Sequence, residues 1–580
     1  MNRATFFKHF ELLADHPDAV AKMRELVLEL AVRGKLVSQN PKDEPAANLL
    51  SRINQEKDKL AKNSKNQTDA LPNVLSDEIA FDVPPGWGWV RTQHVTTYVQ
   101  RGKSPKYSME QKVPVIAQKC IQWHGFELHK AQFIEPASLE SYSDERFVLD
   151  GDLLWNSTGL GTLGRIIVFR ERFKGRYPRI VADSHVTVIR PSKNVVPDYL
   201  FLWFAGPKVQ KEINAKASGS TKQTELATST VLGYPIPLPP LAEQRRIVAK
   251  VEELMALCDE LEQRQEARQQ AGGILQQSAL HHLLAAREPK TFAAAWQRVR
   301  DHFHLLHDTP DAIPQLRQAI LQLAVQGRLV PQNPKDEPAV QLLEHVYAAK
   351  QKVARVNGEK PPKVWPRVEP HEVEQTFPAA WVVARLGDLT INIEAGYSPQ
   401  CEGRRRSANE WGVLKISAVS WDKFDPEENK ALPPDVEPRQ GLEVRDDDFL
   451  MSRANTAELV AKSVIAHKPP SRLLLNDKTL RVHFTEYTNK RFVNLVNNSL
   501  CARAYYAKAS SGTSSSMKNI TREGIGMLPV AIPPLAEQKR IVARVEELLR
   551  WCDTLEAQLH LTRTLGARLL DSTIHHLLAG

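Results

Sequence analysis

Five cysteines in 580 residues leave no room for a disulfide framework. Cys120, Cys258, Cys401, Cys501 and Cys552 form neither CxxC pairs nor a Cys/His cluster, and read as free thiols of a reducing cytoplasm. Cys258 and Cys552 fall at the same repeat position on an apolar helix face, where packing explains them. No run of about 18 apolar residues occurs, which argues against a transmembrane helix. The opening MNRATFFKHFELLADHPDAV lacks an apolar signal core and carries acids early, which argues against export. Charge of one sign is also scarce. The 77 basic and 68 acidic residues leave a net charge of +9, compatible with a local basic groove but unable to establish nucleic-acid binding. With 42% hydrophobic and 25% charged residues, the chain reads as cytoplasmic, free of membrane contact, and long enough for several domains.

Catalytic signatures are missing as well. There is no (N/D)PP(Y/F) tetrapeptide of the kind that amino-methyltransferases use to hold a flipped base, and no HExxH, GxSxG or paired CxxC. Gly159-Leu160-Gly161-Thr162-Leu163-Gly164 is formally GxGxxG, and Asp183 stands where a ribose-binding acid would be sought. A dinucleotide site needs those glycines to open a helix, whereas RIIVF follows, a strand former. Nor is it a phosphate-binding P-loop, because Arg165-Ile166 replaces Lys-Ser/Thr. The doublets His281-His282 and His575-His576 lack partners at metal spacing. The chain reads as a protein with no active site, bound cofactor or metal of its own.

What the chain does have is itself, twice. Residues 30–50 return at 323–343 with 16 of 21 positions identical, and residues 239–262 return at 533–556 with 18 of 24 identical. The offsets are 293 and 294, so two units of nearly equal length tile the sequence, and the stretches between the near-copies have little identity. A duplicated frame around different inserts places two different readers in equivalent positions.

Periodicity predicts helices at Met23–Val32 and Leu316–Val325, closed by Gly34 and Gly327, and again at Ala46–Leu60 and Ala339–Val353. Polar linkers follow at Asn63–Asn73 and Asn357–Pro370. The inserts are richer in strands, among them Arg165–Phe169, Ser184–Ile189, Val413–Ile416 and Ser463–Ala466. They open alike, with GWGWV at Gly86–Val90 against AAWVV at Ala379–Val383, and with Gly-x-Ser-Pro at 102–105 and 396–399. After each insert a long helix carries a heptad seam: Ile247, Val251, Leu254, Cys258 and Leu261, then Ile541, Val545, Leu548, Cys552, Leu555 and Leu559. Glu243 and Glu537 fall near the positive ends of these helices. The common register predicts that the two seams pack on each other as an antiparallel spacer. Seams that bind their own inserts, or an outside partner, are the alternative. Gly272-Gly273 is expected to interrupt the first helix.

Each insert also holds loops dense in small polar and basic residues. Asn156–Gly159 and Ser452–Thr456 follow GDLLW and DDDFLM, while residues 218–223 and 511–519 precede the long helices. Such residues allow close approach to phosphates and hydrogen bonds to base edges. Singly each is an ordinary turn. Their paired placement in both inserts points to a shared binding surface.

Taken together, the duplicated PLAEQ(R/K)RIVA(K/R)VEEL helices, the W…G-x-S-P openings, and the TGLGTLGR and MSRANT loops resemble the specificity subunits of Type I restriction–modification enzymes. The likeness covers essentially the whole chain, and QNPKDEP in both copies is similar to one subgroup. The resemblance implies an α+β architecture: two mixed α/β DNA target recognition domains separated by long, duplicated coiled-coil-like helices in a pseudo-twofold internal repeat. The domains would be 1–79 (helical repeat and linker), 80–236 (first recognition domain), 237–373 (central helices and linker), 374–530 (second recognition domain) and 531–580 (C-terminal spacer helix). Each recognition domain would read one half of a bipartite duplex. The helices would set the spacing and bind two methyltransferase subunits, with two motor-nuclease subunits joining for cleavage. S-adenosylmethionine, ATP and Mg would be held by those partners. The implied DNA contacts are Lys103, Ser104, Gln118, Lys119, Asn156, Ser157, Thr158, Thr162, Arg165, Thr221, Lys222 and Gln223 in the first reader. In the second they are Tyr397, Ser398, Lys415, Ser452, Arg453, Asn455, Thr456, Ser514, Lys518 and Asn519. The second insert departs from TGxGxxG, so its loop is expected to take a different path. The competing reading is an interaction scaffold with the same frame that never touches DNA.

Overall fold

Each unit is built around a buried glutamate in the first turn of its long helix. In the computed structural model, which describes residues 16–61, 71–159, 161–217, 225–373, 375–420, 423–512 and 517–579, Glu243 accepts from Trp87 Nε1 at 2.9 Å and from Gln39 Nε2 at 2.6 Å. Glu537 accepts from Trp381 Nε1 at 3.1 Å and from Gln332 Nε2 at 2.6 Å. Arg246 and Arg540, one helical turn on, pair with Asp43 at 2.6 Å and Asp336 at 2.7 Å. The two most repeated stretches, QNPKDEP and PLAEQ, are therefore repeated because they fit each other. Burial pushes both glutamates above the ordinary carboxylate range, against the opposing pull of the donated hydrogen bonds.

The chain divides into two units, Met1–Gln269 with Arg563–Gly580, and Gln270–Thr562. The predicted repeat helices are present as Ala19–Val32, Ala46–Ala61, Ile313–Val325 and Ala339–Val356. Gly34 and Gly327 follow the first of each pair with φ of +65° and +72°, the left-handed cap that only glycine adopts freely. The linker at 63–73 lies mostly outside the described residues.

Inside each insert the strands have one order. In the first, Thr96–Arg101, Val186–Pro191, Leu153–Asn156 and Ile166–Val168 lie side by side, antiparallel throughout. In the second, Thr390–Ala395, Thr479–Phe484, Phe449–Ser452 and Ser463–Ile465 repeat that order. A smaller sheet in each pairs a strand in parallel: Val181–Ala182 on Pro114–Ile116, and Leu473–Leu474 on Gly412–Leu414. The first insert adds Tyr107–Ser108 at the edge of that sheet, with no counterpart among the described residues of the second. Gly88–Arg91 pairs with Pro235–Leu238, and Val382–Arg385 with Pro529–Ile532, so each insert closes where it opens, just before the long helix. The shared outline read from the opening motifs is thus a shared strand order.

The long helices run unbroken over Leu241–Ala285 and Leu535–Ala579. Gly272-Gly273 does not interrupt the first, contrary to expectation. Neither glycine has any atom within reach of an added Cβ, and flanking helical turns carry the backbone through a local cost of about 1 kcal/mol per glycine. The seams are not bare helix pairs. Ile247, Val251, Leu254, Cys258 and Leu261 share a core with Val20, Met23, Leu26, Val27 and Leu30 of the short helix, and with Leu570, Ile574 and Leu577 from the end of the second long helix. In the second unit, Ile541, Val545, Leu548 and Cys552 pack with Ile313, Ile320 and Ala324. Each seam is therefore engaged first by its own unit's short helix. Cys258 and Cys552 are buried there, and burial pushes both thiols up. No helix among the described residues is long and apolar enough to cross a membrane.

The copies differ in one place that packing makes visible. In the first unit Trp89 stands edge-on to Phe81 and Trp203, with centroids 5.1 and 5.8 Å away. The matching positions of the second unit hold Gln375, Val383 and Val496, which line a cavity of about 740 Å³. The neighbouring edge-on pairs Trp87–Tyr199 (6.3 Å) and Trp381–Phe492 (6.2 Å) are retained in both.

Candidate nucleic-acid interface

The loop after each third strand of the main sheet meets the segment that leads into the long helix. In the first insert Glu225 bridges to Thr158, and Leu226 N donates to Ser157 O at 2.8 Å. In the second, Ala454–Asn455 pairs as a short antiparallel ribbon with Lys518–Asn519, and Ile520 N donates to Arg453 O at 3.0 Å. In both units the loop singled out in sequence thus meets a segment ahead of the long helix, 225–226 in the first and 518–520 in the second; residues 218–223 lie outside the described residues.

The first-insert loop is a hairpin connection between Leu153–Asn156 and Ile166–Val168, not a helix start, which removes the dinucleotide geometry. Gly159, Gly161 and Gly164 all take positive φ, and a Cβ on Gly159 would stand 2.7 Å from Thr162 Oγ1. The glycines therefore serve a tight turn. Asp183 is buried, accepts from His185 N at 2.8 Å, and closes the turn before Val186–Pro191; burial pushes its carboxyl up. The second loop joins Phe449–Ser452 to Ser463–Ile465 in the same hairpin, with Ala461 at φ +60° where the first has Gly164. Its hairpin is shared even though the glycine pattern is lost.

Many of the candidate residues hold the loops through hydrogen bonds of their own. Asn156, Ser157, Thr158 and Ser452 are buried. Asn156 Nδ2 donates to Gln118 O at 3.2 Å, Ser157 bonds Thr187, and Thr158 Oγ1 lies 2.8 Å from His185 Nδ1. Ser452 Oγ donates to Leu459 O at 2.6 Å. Gln118 Nε2 donates to Thr158 O at 2.8 Å, and Thr162 Oγ1 to the same oxygen at 3.0 Å. Arg165 reaches Gly161 O at 2.7 Å and also bonds Gln122. Asn455 Nδ2 donates to Ser420 Oγ at 2.8 Å, and Thr456 N to Asn455 Oδ1 at 2.9 Å. These side chains set the shape that other groups present.

The exposed candidates are fewer. Lys119, Ser104, Ser398, Arg453 and Asn519 face solvent. Ser104 bonds Ser184 at 3.0 Å and Ser398 bonds Asp477 at 2.8 Å, so the two Gly-x-Ser-Pro motifs are matched in contact as well as in sequence. Their glycines are required by close approach: a Cβ on Gly102 would lie 2.1 Å from Ala182 O, and one on Gly396 2.2 Å from Leu475 O. Arg453 is held by its backbone to Lys478 O at 2.7 Å, while its guanidinium has no partner among the described residues. Lys103 donates to Ser141 O at 2.6 Å and lies over the Tyr142 ring. Tyr397 lies under Arg439, Lys415 stands 3.5 Å from Glu428, and Lys518 Nζ donates to Gly512 O at 2.6 Å. Thr221, Lys222, Gln223 and Ser514 lie outside the described residues. Sequence reading passed over Lys106, Trp123 and Lys478, all exposed beside these loops or the adjoining turns. Among the described residues no group of three or more His, Cys, Asp or Glu side chains could hold a metal ion.

Residues 86–269 match the family model of the Type I restriction modification DNA specificity domain. The Type I restriction enzyme EcoEI specificity subunit of Escherichia coli is 33% identical over 562 residues, covering 95% of this chain and 93% of that protein. The EcoAI specificity subunit of Escherichia coli is 30% identical over 582 residues, covering 94% and 93%. Among solved structures, the HsdS subunit from Thermoanaerobacter tengcongensis aligns over 86% of this chain and 98% of its own length, with a TM-score of 0.43 and 16% identity.

Proposed function

The chain belongs to the DNA-specificity subunits of Type I restriction enzymes, and from that premise we propose that its two inserts each read one half of a bipartite duplex through the loops 156–165 and 452–462, paired with the segments 225–226 and 518–520. The observation that carries this reading is the recurrence of the same loop pairing on the same strand order in two inserts of little sequence identity. A scaffold with inert inserts has no need to keep one loop pairing while changing nearly every side chain on it. Two readers of different sequences need both.

Affinity then comes mainly from phosphates, met by Lys119, Lys103, Lys415 and Lys518, and falls steeply with salt. Discrimination comes from base-edge contacts worth roughly 1–3 kcal/mol each, with Arg453 the free guanidinium suited to guanine O6 and N7. The long helices set the distance between half-sites and carry two methyltransferase subunits, and two motor-nuclease subunits join for cleavage. Adenine-N6 methylation and translocation, with S-adenosylmethionine, ATP and Mg, belong to those partners in the cytoplasm. The test is modification-sensitive sequencing of host DNA with the gene present and deleted. Loss of N6-methyladenine from one bipartite motif supports the reading. An unchanged methylome, with the partner genes expressed, counts against it.

A further inference from the structure

Trp123 is a large apolar side chain left 56% exposed at the tip of a hairpin beside the first loop pair. Ile121–Gln122 pairs with Gly125–Phe126, so Trp123 and His124 form the two-residue turn, and Gly125 takes φ +141° to close it. The hairpin has a rigid base. Cys120 and Ile121 are fully buried, and Phe126 stacks on Phe173 at 5.2 Å and stands edge-on to Phe169 at 5.6 Å. It is also tied to the candidate interface. Gln122 Nε2 donates to Lys119 O at 2.9 Å, its Oε1 accepts from Arg165, and Gln118 reaches Thr158 O at 2.8 Å. Lys119 is exposed, and the Arg165 side chain is partly so.

A second, independent observation comes from the other insert. Ile116, Cys120, Ile121, Trp123 and Phe126 recur 298 positions later as Leu414, Ala418, Val419, Trp421 and Phe424. The buried members of each set anchor equivalent cores: Ile116, Cys120 and Ile121 with Phe126 in one, Leu414, Ala418 and Val419 with Phe424 in the other. Trp421 itself lies outside the described residues. Core positions recur because the fold needs them. A tryptophan at the exposed position of the first copy is not explained by that need, and it recurs while the residues around it change.

We propose that Trp123 is a stacking wedge, which enters a base-pair step in or beside the first half-site and partly unstacks it; the proposal rests on the DNA-reading function above. An indole has one donor and no acceptor, so it cannot read a base-edge pattern, but its flat apolar face matches the area of a base. Carried on a braced hairpin beside the loop pair, it has the form of the apolar wedges that kink duplexes in exchange for more contact. It adds discrimination at a position where no base edge is touched, because steps differ in how readily they open.

The test uses the full-length chain and duplexes that it enriches from a random-sequence pool, with 2-aminopurine placed at successive positions. The wild-type chain brightens the probe at one step of the first half-site. Trp123→Ala binds the enriched duplex about 10- to 100-fold more weakly, loses the brightening, leaves the second half-site preference intact and keeps the salt slope. Trp123→Phe recovers part of both signals. Equal affinity and equal fluorescence for Trp123→Ala would overturn the wedge, as would uniform weakening with a shallower salt slope. If the wild-type chain enriches no duplex, the DNA-reading function itself fails, a result visible before any variant is compared.

Discussion

The indole N–H of Trp87 donates to the carboxylate of Glu243 at 2.9 Å, which ties the opening of the first insert to the first turn of the long helix 156 residues later. Trp381 and Glu537 form the same tie across the same separation. Each insert is thereby clamped to its long helix at one buried carboxylate.

That carboxylate makes stability depend on pH in a definite sense. Burial raises the Glu243 pKa above its ordinary value of 4.5, so the native state holds the proton more tightly than the unfolded chain. Its contribution is complete below 4.5 and declines as pH rises through the raised value. Glu243→Gln removes this slope, so urea midpoints of variant and wild type move in the variant's favour between acid and neutral pH. Glu372 behaves in the opposite way. Arg385 holds it down at about 2, so its contribution is present at neutral pH and fades as pH falls towards that value. Glu372→Gln is expected to be destabilised at pH 7 and to converge with wild type in strong acid.

Arg453→Ala removes a guanidinium that stabilises nothing within the described fold. The melting temperature should stay within a degree or so. Binding should lose roughly 1–3 kcal/mol on the half-site read by the second insert, with the other half unchanged. Uniform weakening on all sequences with a smaller salt slope would identify a phosphate contact instead.

Gly102→Ala and Gly396→Ala each force a methyl group into backbone carbonyls little more than 2 Å away. Backbone cannot yield as a flexible side chain can, so each insert should be destabilised, and half-site recognition should be lost in that insert alone. Limited proteolysis of each variant, together with competition by the two half-sites, tests both statements.

Trp203→Ala empties a site that three aromatic rings fill, and should cost about 3–5 kcal/mol. Val496→Ala, at the matching position, borders a space that is already open and should cost far less. A denaturation series on the two variants checks the difference. Equal costs would mean that the second cavity is filled in solution.

Exchange of residues 374–530 for the insert of a relative should change one half of the methylated motif. A change in both halves would refute independent readers.

Much of this architecture is legible in the sequence. Short helices, glycine caps, the Gly-x-Ser-Pro openings and the heptad seams each leave a local signature that periodicity or turn chemistry reveals. The candidate site was only partly legible. Polar residues in a loop look alike in sequence whether they face solvent or satisfy their neighbours, so Asn156, Ser157 and Ser452 could not be separated from Arg453. Gly272-Gly273 was expected to break a helix because propensity is local, whereas the turns on either side carried it through.

The duplication, the divergence of the inserts and the family were determined by the sequence alone, because identity at fixed spacing needs no geometry to be seen. Tertiary structure decided which of the repeated residues meet. Glu243 reaches Trp87 and Gln39, and Glu537 reaches Trp381 and Gln332, across separations of 156 or more residues. It also decided which polar loop residues turn inward. Both outcomes depend on the order in which distant strands pair, and a local pattern of side chains carries no record of that order.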